Sequence, residues 1–183
     1  MELKIISVIE EQIAVEFTGK INVLSTYNQQ FLGQILFKNG DILQVTFQVH
    51  KGLKAFYQLI IQEYSLQSFD YVVEPEVIDE KQRQIHYPYS IMKNKLSDVL
   101  KLYRESLKQK PPKNVKIIVN GEFMHQTSEV TPDEFEVLAT LSEWNGVDDV
   151  YQHCPLLDHE ITGALVSLRK KNALKILAPR SNG

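Results

Sequence analysis

The chain has 183 residues, a net charge of −3 and hydrophobic residues at 43% of its positions, which is typical of a globular protein with one large or two small domains. Its single cysteine, Cys154, excludes an internal disulfide framework, and no apolar run approaches the roughly 18–20 residues that span a bilayer. The first residues lack the basic start and cleavage site of a secretory signal, so we expect a cytoplasmic protein without membrane insertion.

The first 75 residues predict a compact unit of helices and strands. The predicted elements are a helix over 3–15, strands over 18–24, 31–37 and 42–49, a helix over 51–64 and a strand over 69–73. In the first helix we expect the buried face to consist of Leu3, Ile6, Ile9 and Ile13. Asn39-Gly40 predicts a tight hairpin turn, because both residues tolerate positive φ angles.

A long basic helix is predicted in the middle of the chain, after a polar stretch. Residues 75–89 contain two prolines and few apolar residues, which is typical of a boundary between domains. From Ser90 to about Gln109, apolar residues recur in steps of three and four along one side, while lysine and arginine occupy the other side. Pro111-Pro112 ends this helix, because proline cannot continue it.

The last third predicts a strand, three helices and a second strand. The ranges are a strand over 115–119, helices over 132–145, 147–154 and 158–171, and a strand over 173–178. Thr131 is the expected cap of the first of these helices, and Asp158 of the third. For the first helix we expect a buried face of Phe135, Leu138, Leu141 and Trp144. Three helices with a tight turn between the last two, followed by a strand, are the winged-helix pattern.

Charge is segregated along the chain. Residues 81–116 carry ten bases against two acids, net +8, whereas residues 117–168 carry ten acids and no lysine or arginine, net −10. Residues 169–183 are again basic, with a net charge of +5. Such blocks indicate contacts with partners or between segments. Two interpretations stay open: the basic helix binds an acidic partner, or the acidic segment of its own chain neutralises it.

Four short glycine motifs occur in the order found in a known bacterial domain. They are Thr18-Gly19-Lys20, Gly33-Gln34-Ile35, Asn39-Gly40-Asp41 and Gly52-Leu53-Lys54-Ala55. With these motifs and the leading amphipathic helix, residues 1–76 resemble the PATAN-type domain. Members of that family often have a Gly-x-Phe-x-Phe-like strand next, where this chain has Gln67-Ser68-Phe69-Asp70-Tyr71.

The resemblance extends to a small winged-helix module that often follows this domain. It implies an α+β fold: a small antiparallel-sheet domain with flanking helices at 1–76, a linker and basic amphipathic helix at 77–112, and a winged-helix-like domain at 113–183. It also implies a non-enzymatic adaptor in bacterial signalling, in a polarity, motility or response-regulator pathway. Expected partners are a response regulator, a small GTPase, a motility ATPase or a second copy of the chain.

No residue pattern indicates a catalytic, cofactor or metal site. His153, Cys154 and His159 come nearest to a metal cluster, but a structural zinc site takes four ligands and a helix break separates these three. Carboxylates near Cys154 in the sequence disfavour a thiolate nucleophile. The glycines match neither phosphate-binding loop. We therefore expect a protein that is not an enzyme and takes no cofactor.

The basic helix supplies the first candidate binding surface. Several cations on one face attract an acidic partner, an anionic membrane or nucleic acid. The apolar residues of this helix are too sparse for membrane insertion. We expect Lys101, Arg104 and Lys108 to contact a protein partner.

The alternative function is a transcription regulator that binds DNA through the winged helix. In that hypothesis Arg169, Lys170 and Lys171 contact phosphates. DNA is the less favoured partner, because the recognition helix would begin with Asp158 and Glu160, whose carboxylates repel phosphate.

Overall fold

The structure, a computed structural model, describes residues 3–65, 68–124 and 129–177. The chain divides into two compact units, Met1–Leu100 and Lys101–Gly183. The α+β class is as predicted: a five-stranded antiparallel sheet with helices comes first, and a helical region with a two-stranded sheet follows. No helix formed by the described residues is long and apolar enough to cross a membrane.

The first unit is built around the five-stranded sheet. Its elements are α1 (Lys4–Ala14), β1 (Gly19–Ser25), β2 (Phe31–Lys38), β3 (Asp41–Phe47), β4 (His50–Lys51), α2 (Gly52–Tyr64), β5 (Phe69–Pro75), a 3₁₀ turn (Glu80–Gln82) and α3 (Tyr89–Asn94). The strand order is β4-β3-β2-β1-β5, so β5 returns beside β1 after α2. The predicted order of helices and strands is confirmed, and the two-residue β4 is an addition to it.

Two glycines fix the hairpin of β2 and β3. Asn39 and Gly40 have φ angles of 50° and 80°, as the predicted tight turn requires at both positions. Gly33 is needed for a different reason. A Cβ atom added there would lie 2.1 Å from the carbonyl oxygen of Thr46 and 2.7 Å from the Cα of Phe47. The two strands therefore approach too closely at this point for any side chain.

The helices of the first unit cover one face of the sheet. Side chains at alternate strand positions are fully buried there: Ile21, Val23, Ile35, Phe37, Val45 and Phe47. The face predicted for α1 is only partly right, because Ile5 and Ile9, one helical turn apart, are its buried residues. Leu3, Ile6 and Ile13 lie at the edges of that face and stay partly exposed.

The polar stretch after β5 packs against the sheet. Ile78 is buried with Leu36 and Leu43. The backbone N–H groups of Gln84 and Ile85 donate to the carbonyl oxygen of Leu43 at 2.8 and 2.9 Å. These bonds hold the segment against the outer side of β3. The domain limits proposed at 76 and 113 stay a prediction.

The single helix predicted over 90–109 is wrong, because the structure has two helices there. Helix α3 ends at Asn94, and α4 (Leu96–Ser106) begins after a break at Lys95. Asparagine is a weak helix former whose side chain competes for backbone hydrogen bonds, which explains the position of the break. Helix α4 continues across the division between the two units.

The basic helix also ends earlier than predicted. The hydroxyl of Ser106 donates to the carbonyl oxygen of Tyr103 at 2.7 Å, within the last turn of α4. A turn follows, in which the N–H of Gln109 donates to the carbonyl oxygen of Ser106 at 2.9 Å. Lys108 therefore lies in this turn, outside the helix.

The second unit is a group of helices beside a two-stranded antiparallel sheet. Its further elements are β6 (Lys116–Val119), α5 (Gly121–Met124), α6 (Pro132–Glu143), α7 (Val147–His153), α8 (Asp158–Lys170) and β7 (Leu174–Leu177). The short α5 is an addition to the predicted order, and the predicted end of the last strand lies outside the described residues. The core side chains include Ile117, Val137, Leu141, Val147, Val150, Cys154, Ile161, Leu165 and Leu168.

The start of α6 is capped as predicted, but its buried face differs. The Thr131 hydroxyl accepts the N–H of Glu134 at 3.3 Å, and a Glu134 carboxylate oxygen accepts the N–H of Thr131 at 2.8 Å. Because this exchange turns Glu134 inward, it is buried with Val137. Phe135 and Trp144, predicted in the core, are 64% and 40% exposed.

At the start of α8 the predicted cap is off by one residue. Leu157 occupies the cap position, and Asp158 is the first residue of the helix. A carboxylate oxygen of Glu160 accepts the N–H of Leu157 at 2.9 Å. The Asp158 side chain pairs with Lys110.

Candidate partner-binding groove

An open groove of about 410 Å³ lies within the second unit. One wall is the turn and proline segment 108–112, and the other wall is the C-terminal half of α8. Strands β6 and β7 form the floor. The lining residues are Lys108, Gln109, Lys110, Pro111, Pro112, Ile117, Leu165, Val166, Arg169, Leu174 and Ile176. We call this site the cationic groove.

The floor of the cationic groove is apolar and partly open to solvent. Besides the residues of the two strands, the floor includes Leu165 and Val166 of α8. Ile117 and Leu165 are buried, and Val166 and Leu174 are half-buried. Ile176 is 44% exposed. A branched side chain exposed at the edge of a recess offers apolar area to a ligand.

The wall of the groove at 108–112 is stiffened by its two prolines. Each proline fixes its own φ angle and lacks an N–H donor. The carbonyl oxygen of Pro112 accepts the N–H of Val115 at 3.3 Å, which turns the chain toward β6. The two prolines therefore limit the backbone freedom of this wall.

Lys110 ties this wall to the start of α8. Its ammonium nitrogen lies 3.2 Å from a carboxylate oxygen of Asp158 and 3.9 Å from the centre of the Tyr151 ring. The Tyr151 hydroxyl lies 2.7 Å from the hydroxyl of Thr162 on α8. Burial raises the pKa of Tyr151, so its hydroxyl stays protonated and available for that bond. Lys110 thus has a structural role at the groove.

The charge of the groove is positive without compensation at its rim. Three of its eleven lining residues are cationic and none is acidic. Lys110 is paired with Asp158, as described above. Lys108 and Arg169 are both exposed, and neither forms an ion pair with a residue that the structure describes. The pair of Lys108 and Arg169 is therefore the available charge of the site.

The structure separates the six predicted contact residues into three groups: those that line the groove, those that are exposed elsewhere (Lys101, Arg104 and Lys170), and Lys171. Lys108 and Arg169 come together at the groove. Lys101 and Arg104 are exposed on α4, three residues apart, and do not line it. Lys170 is exposed at the end of α8, outside the lining.

Lys171 forms the third group, because it has a partner inside the second unit. Its ammonium nitrogen lies 2.8 Å from a carboxylate oxygen of Glu134 and 2.9 Å from the carbonyl oxygen of Glu129. Burial alone would raise the pKa of Glu134. Hydrogen bonds from Lys171 and from the N–H of Thr131 outweigh it and lower that pKa to about 2. The Lys171 charge is thus neutralised by a nearly buried carboxylate.

Internal neutralisation is seen for two lysines of the basic segments, while binding of an acidic partner by the basic helix stays a prediction. The pairs Lys110–Asp158 and Lys171–Glu134 join the basic segments to the acidic segment, which is internal neutralisation. Lys108 is left for an external partner by the described residues. The sequence could not separate the two cases, since all these lysines lie in similar basic runs.

The described residues contain no group of three metal-ligating side chains. Cys154 is fully buried in the core of the second unit. The His153 ring stacks on Trp144 with a centroid distance of 4.1 Å. These contacts show a packing role for both residues.

A second pocket, of about 420 Å³, lies in the first unit and is a weaker candidate. It includes Asp41, Arg83 and Tyr87 in its lining. The Arg83 guanidinium lies 3.8 Å from Asp41 and also binds Glu80, whose pKa it lowers through this hydrogen bond. The charge in this pocket is therefore already compensated by its neighbours.

The sequence shows the residue types that form the cationic groove, but it does not show that their segments come together in the fold. Pro111-Pro112 after a basic run was a visible signal, as were the cations at the end of α8. Val166 and Ile176 carried no signal of their own, because they become groove residues only when α8 and β7 fold beside 108–112.

Comparison of the chain with protein-family models, with curated proteins and with solved structures finds no match.

Proposed function

We propose that the protein is a non-enzymatic adaptor of the bacterial cytoplasm that binds a protein partner in the cationic groove. The observation that carries this proposal is the combination of an apolar floor with uncompensated charge at Lys108 and Arg169. Protein interfaces commonly have such an apolar centre and a polar rim. Charges at the rim increase the association rate and select among partners.

The sequence motifs of the first unit support a signalling role within this proposal. We propose that residues 1–76 form a PATAN-type domain. In support, Gly19 begins β1, Asn39-Gly40 forms the turn between β2 and β3, and Gly52 begins α2. By this resemblance the partners would be a response regulator, a small GTPase or a motility ATPase.

Capture from a lysate tests the adaptor when it is combined with matched variants. The groove variant carries Lys108→Glu and Arg169→Glu, and the control carries Lys113→Glu and Lys170→Glu. Both change the charge equally on exposed residues of the same two segments, but the control residues do not line the groove. We expect a nuclease-resistant partner to be retained by the control and lost by the groove variant. Equal retention by both would reject the groove as the binding site.

A third variant, Lys101→Glu with Arg104→Glu, tests the surface favoured by the sequence. Loss of capture only in this variant would move the contact to α4. If a partner is captured equally by all three variants, binding occurs through another surface.

The second candidate function is a DNA-binding regulator. The observation that favours it is the order of α6, α7, α8 and β7, which fits a winged-helix-like domain, with Arg169 and Lys170 exposed at the end of α8. Against it, the first turn of α8 carries Asp158 and Glu160. Carboxylates at that end of the helix repel phosphate, so the two exposed cations at the other end would release few counterions.

Duplex DNA binding at several salt concentrations tests this second function. If the protein is a DNA-binding regulator, its affinity for duplex DNA should depend steeply on salt. The affinity should fall in both the groove variant and the control variant, since each removes one cation from the end of α8. Binding that is weak and independent of both variants would reject DNA as the ligand.

A further inference from the structure

We infer that the ligand of the cationic groove is an extended, acidic peptide segment with a bulky apolar side chain. This inference rests on the adaptor function proposed above and specifies the chemistry of its partner. Three features of the groove support it: its charge, its floor and the strand that forms its edge.

Charge complementarity identifies the sign of the partner. The lining contains cations and no acid, and Lys108 and Arg169 come from two different segments of it. A segment bound in the groove would therefore lie near cations and no carboxylate. Carboxylate side chains match both cations: an arginine holds a carboxylate through two parallel bonds, and a lysine holds it as a point charge.

The floor distinguishes a peptide from a nucleic acid or a membrane surface. Val166, Leu174 and Ile176 line the same groove as the two cations with aliphatic side chains. A phosphate backbone has no apolar group to place against them, and a lipid surface favours a broad cationic face over a recess. A leucine- or phenylalanine-sized side chain suits such a floor, as anchor residues in protein interfaces do.

Strand β7 indicates the conformation of the segment. It pairs with β6 on one side, and within 129–177 and the other described ranges no strand pairs with its second side. The N–H of Asn120 donates to the carbonyl oxygen of Ala173, which places Ala173 in a hydrogen-bonded pair. Because such pairs alternate, the backbone polar groups of Leu174 and Ile176 point to the second side of β7.

An extended segment laid along β7 would satisfy these groups. Alternate side chains of an added strand point to the same face of the sheet. That face carries Leu174 and Ile176, so every second residue of the segment would turn toward the groove floor. Strand addition of this type gives affinity through the main chain and specificity through alternate side chains.

Fluorescence anisotropy with the full-length protein tests the inference directly. The probe is a fluorescein-labelled peptide, Glu-Glu-Leu-Glu-Leu-Glu-Glu. Two matched peptides replace both leucines by serine, or all glutamates by lysine. We expect the acidic leucine peptide to bind at least about tenfold more tightly than either matched peptide, since each lacks one half of the recognition.

Three protein variants locate the binding. The groove variant, Lys108→Glu with Arg169→Glu, should weaken the acidic leucine peptide by about tenfold or more, while Lys113→Glu with Lys170→Glu should leave it within about twofold. Val166→Trp, which fills the floor without changing charge, should weaken it as well. Circular dichroism and the urea midpoint of each variant show whether it is folded. A variant that fails to fold is replaced by Ile176→Asp, at the exposed edge of the floor.

The outcomes separate this inference from the proposed function. If capture of a protein partner depends on the groove but the acidic leucine peptide binds no better than its matched peptides, the inference is wrong and the adaptor function stands. If phosphatidylglycerol vesicles or duplex DNA bind in a groove-dependent way and the peptide does not, the inference is also overturned. If neither capture nor peptide binding depends on the groove, both proposals fail.

Discussion

In the first unit, ion pairs between exposed side chains join neighbouring elements around the sheet. Lys20 lies 2.8 Å from Glu76, and Lys93 binds Glu10. In the second unit the ion pairs involve better buried acids, Glu134 and Asp158, while Lys108 and Arg169 at the groove form no ion pair with a described residue. The contrast shows that total charge does not tell which cations the fold pairs with an acid. Cations left without an acid beside apolar surface are the candidates for binding.

Among the substitutions considered, Gly33→Val should have the largest effect, and it acts on the stability of the first unit. Its side chain would collide with the backbone of Thr46 and Phe47, so β2 and β3 must separate or bend. We expect a loss of about 4 kcal/mol in the free energy of unfolding of the first unit. Hydrogen exchange read by mass spectrometry should show faster exchange in β1 to β3, with β6 and β7 unchanged. Unchanged exchange in the sheet would contradict the close approach.

Glu134→Gln should weaken the second unit by about 2 kcal/mol, because it replaces the nearly buried carboxylate that accepts hydrogen bonds from Lys171 and from the Thr131 N–H. The measurement is urea unfolding at neutral pH. Asp133→Asn is the matched control: it removes the same charge from an exposed residue of the same helical turn and should change stability by less than about 0.5 kcal/mol.

The same pair predicts how stability depends on pH. The pKa of Glu134 is about 2 in the folded protein against 4.5 for an unperturbed carboxyl. A depressed folded pKa means that the contribution is fully present above about pH 4.5 and is lost as the pH falls toward 2. Glu134→Gln should therefore flatten the stability profile of the second unit between these values. A variant profile parallel to the wild type would show that the carboxylate is not the titrating group.

The smallest effects are expected from glycine-to-alanine substitutions, one in each unit. Gly163 lies in α8 with no atom within 4 Å of an added Cβ, so Gly163→Ala should stabilise the second unit by about 0.5–1 kcal/mol. Gly52 also has open space, but its φ angle is +62°, which strains an alanine. Gly52→Ala should destabilise the first unit by about 1 kcal/mol. Thermal unfolding of both variants checks the opposite signs, and equal signs would contradict the backbone argument.

Elements defined by local chemistry could be predicted from the sequence. The Asn39-Gly40 turn needs only the tolerance of its own two residues for positive φ, and the start of α6 needs only Thr131 and Glu134. The break at Lys95 was missed because the apolar spacing continues across it, whereas backbone competition by Asn94 is a weak local effect.

Features that depend on packing could not be predicted to the same degree. Glu134 is buried on α6 and pairs with Lys171, a residue 37 positions away, so the local sequence does not show its burial. The cationic groove requires three distant segments to meet. Residue type alone identified Lys108 and Arg169 as candidates, but it gave the same weight to Lys171, whose charge the fold neutralises.

Cys154 is a chemical probe of opening in the second unit. Its thiol is fully buried in the core, and the sequence contains no other cysteine. A thiol reagent can therefore modify this protein only when the second unit opens. The labelling rate reports those openings independently of the first unit. A ligand bound in the cationic groove stabilises the closed form, so the labelling rate would fall as the occupied fraction of the groove rises.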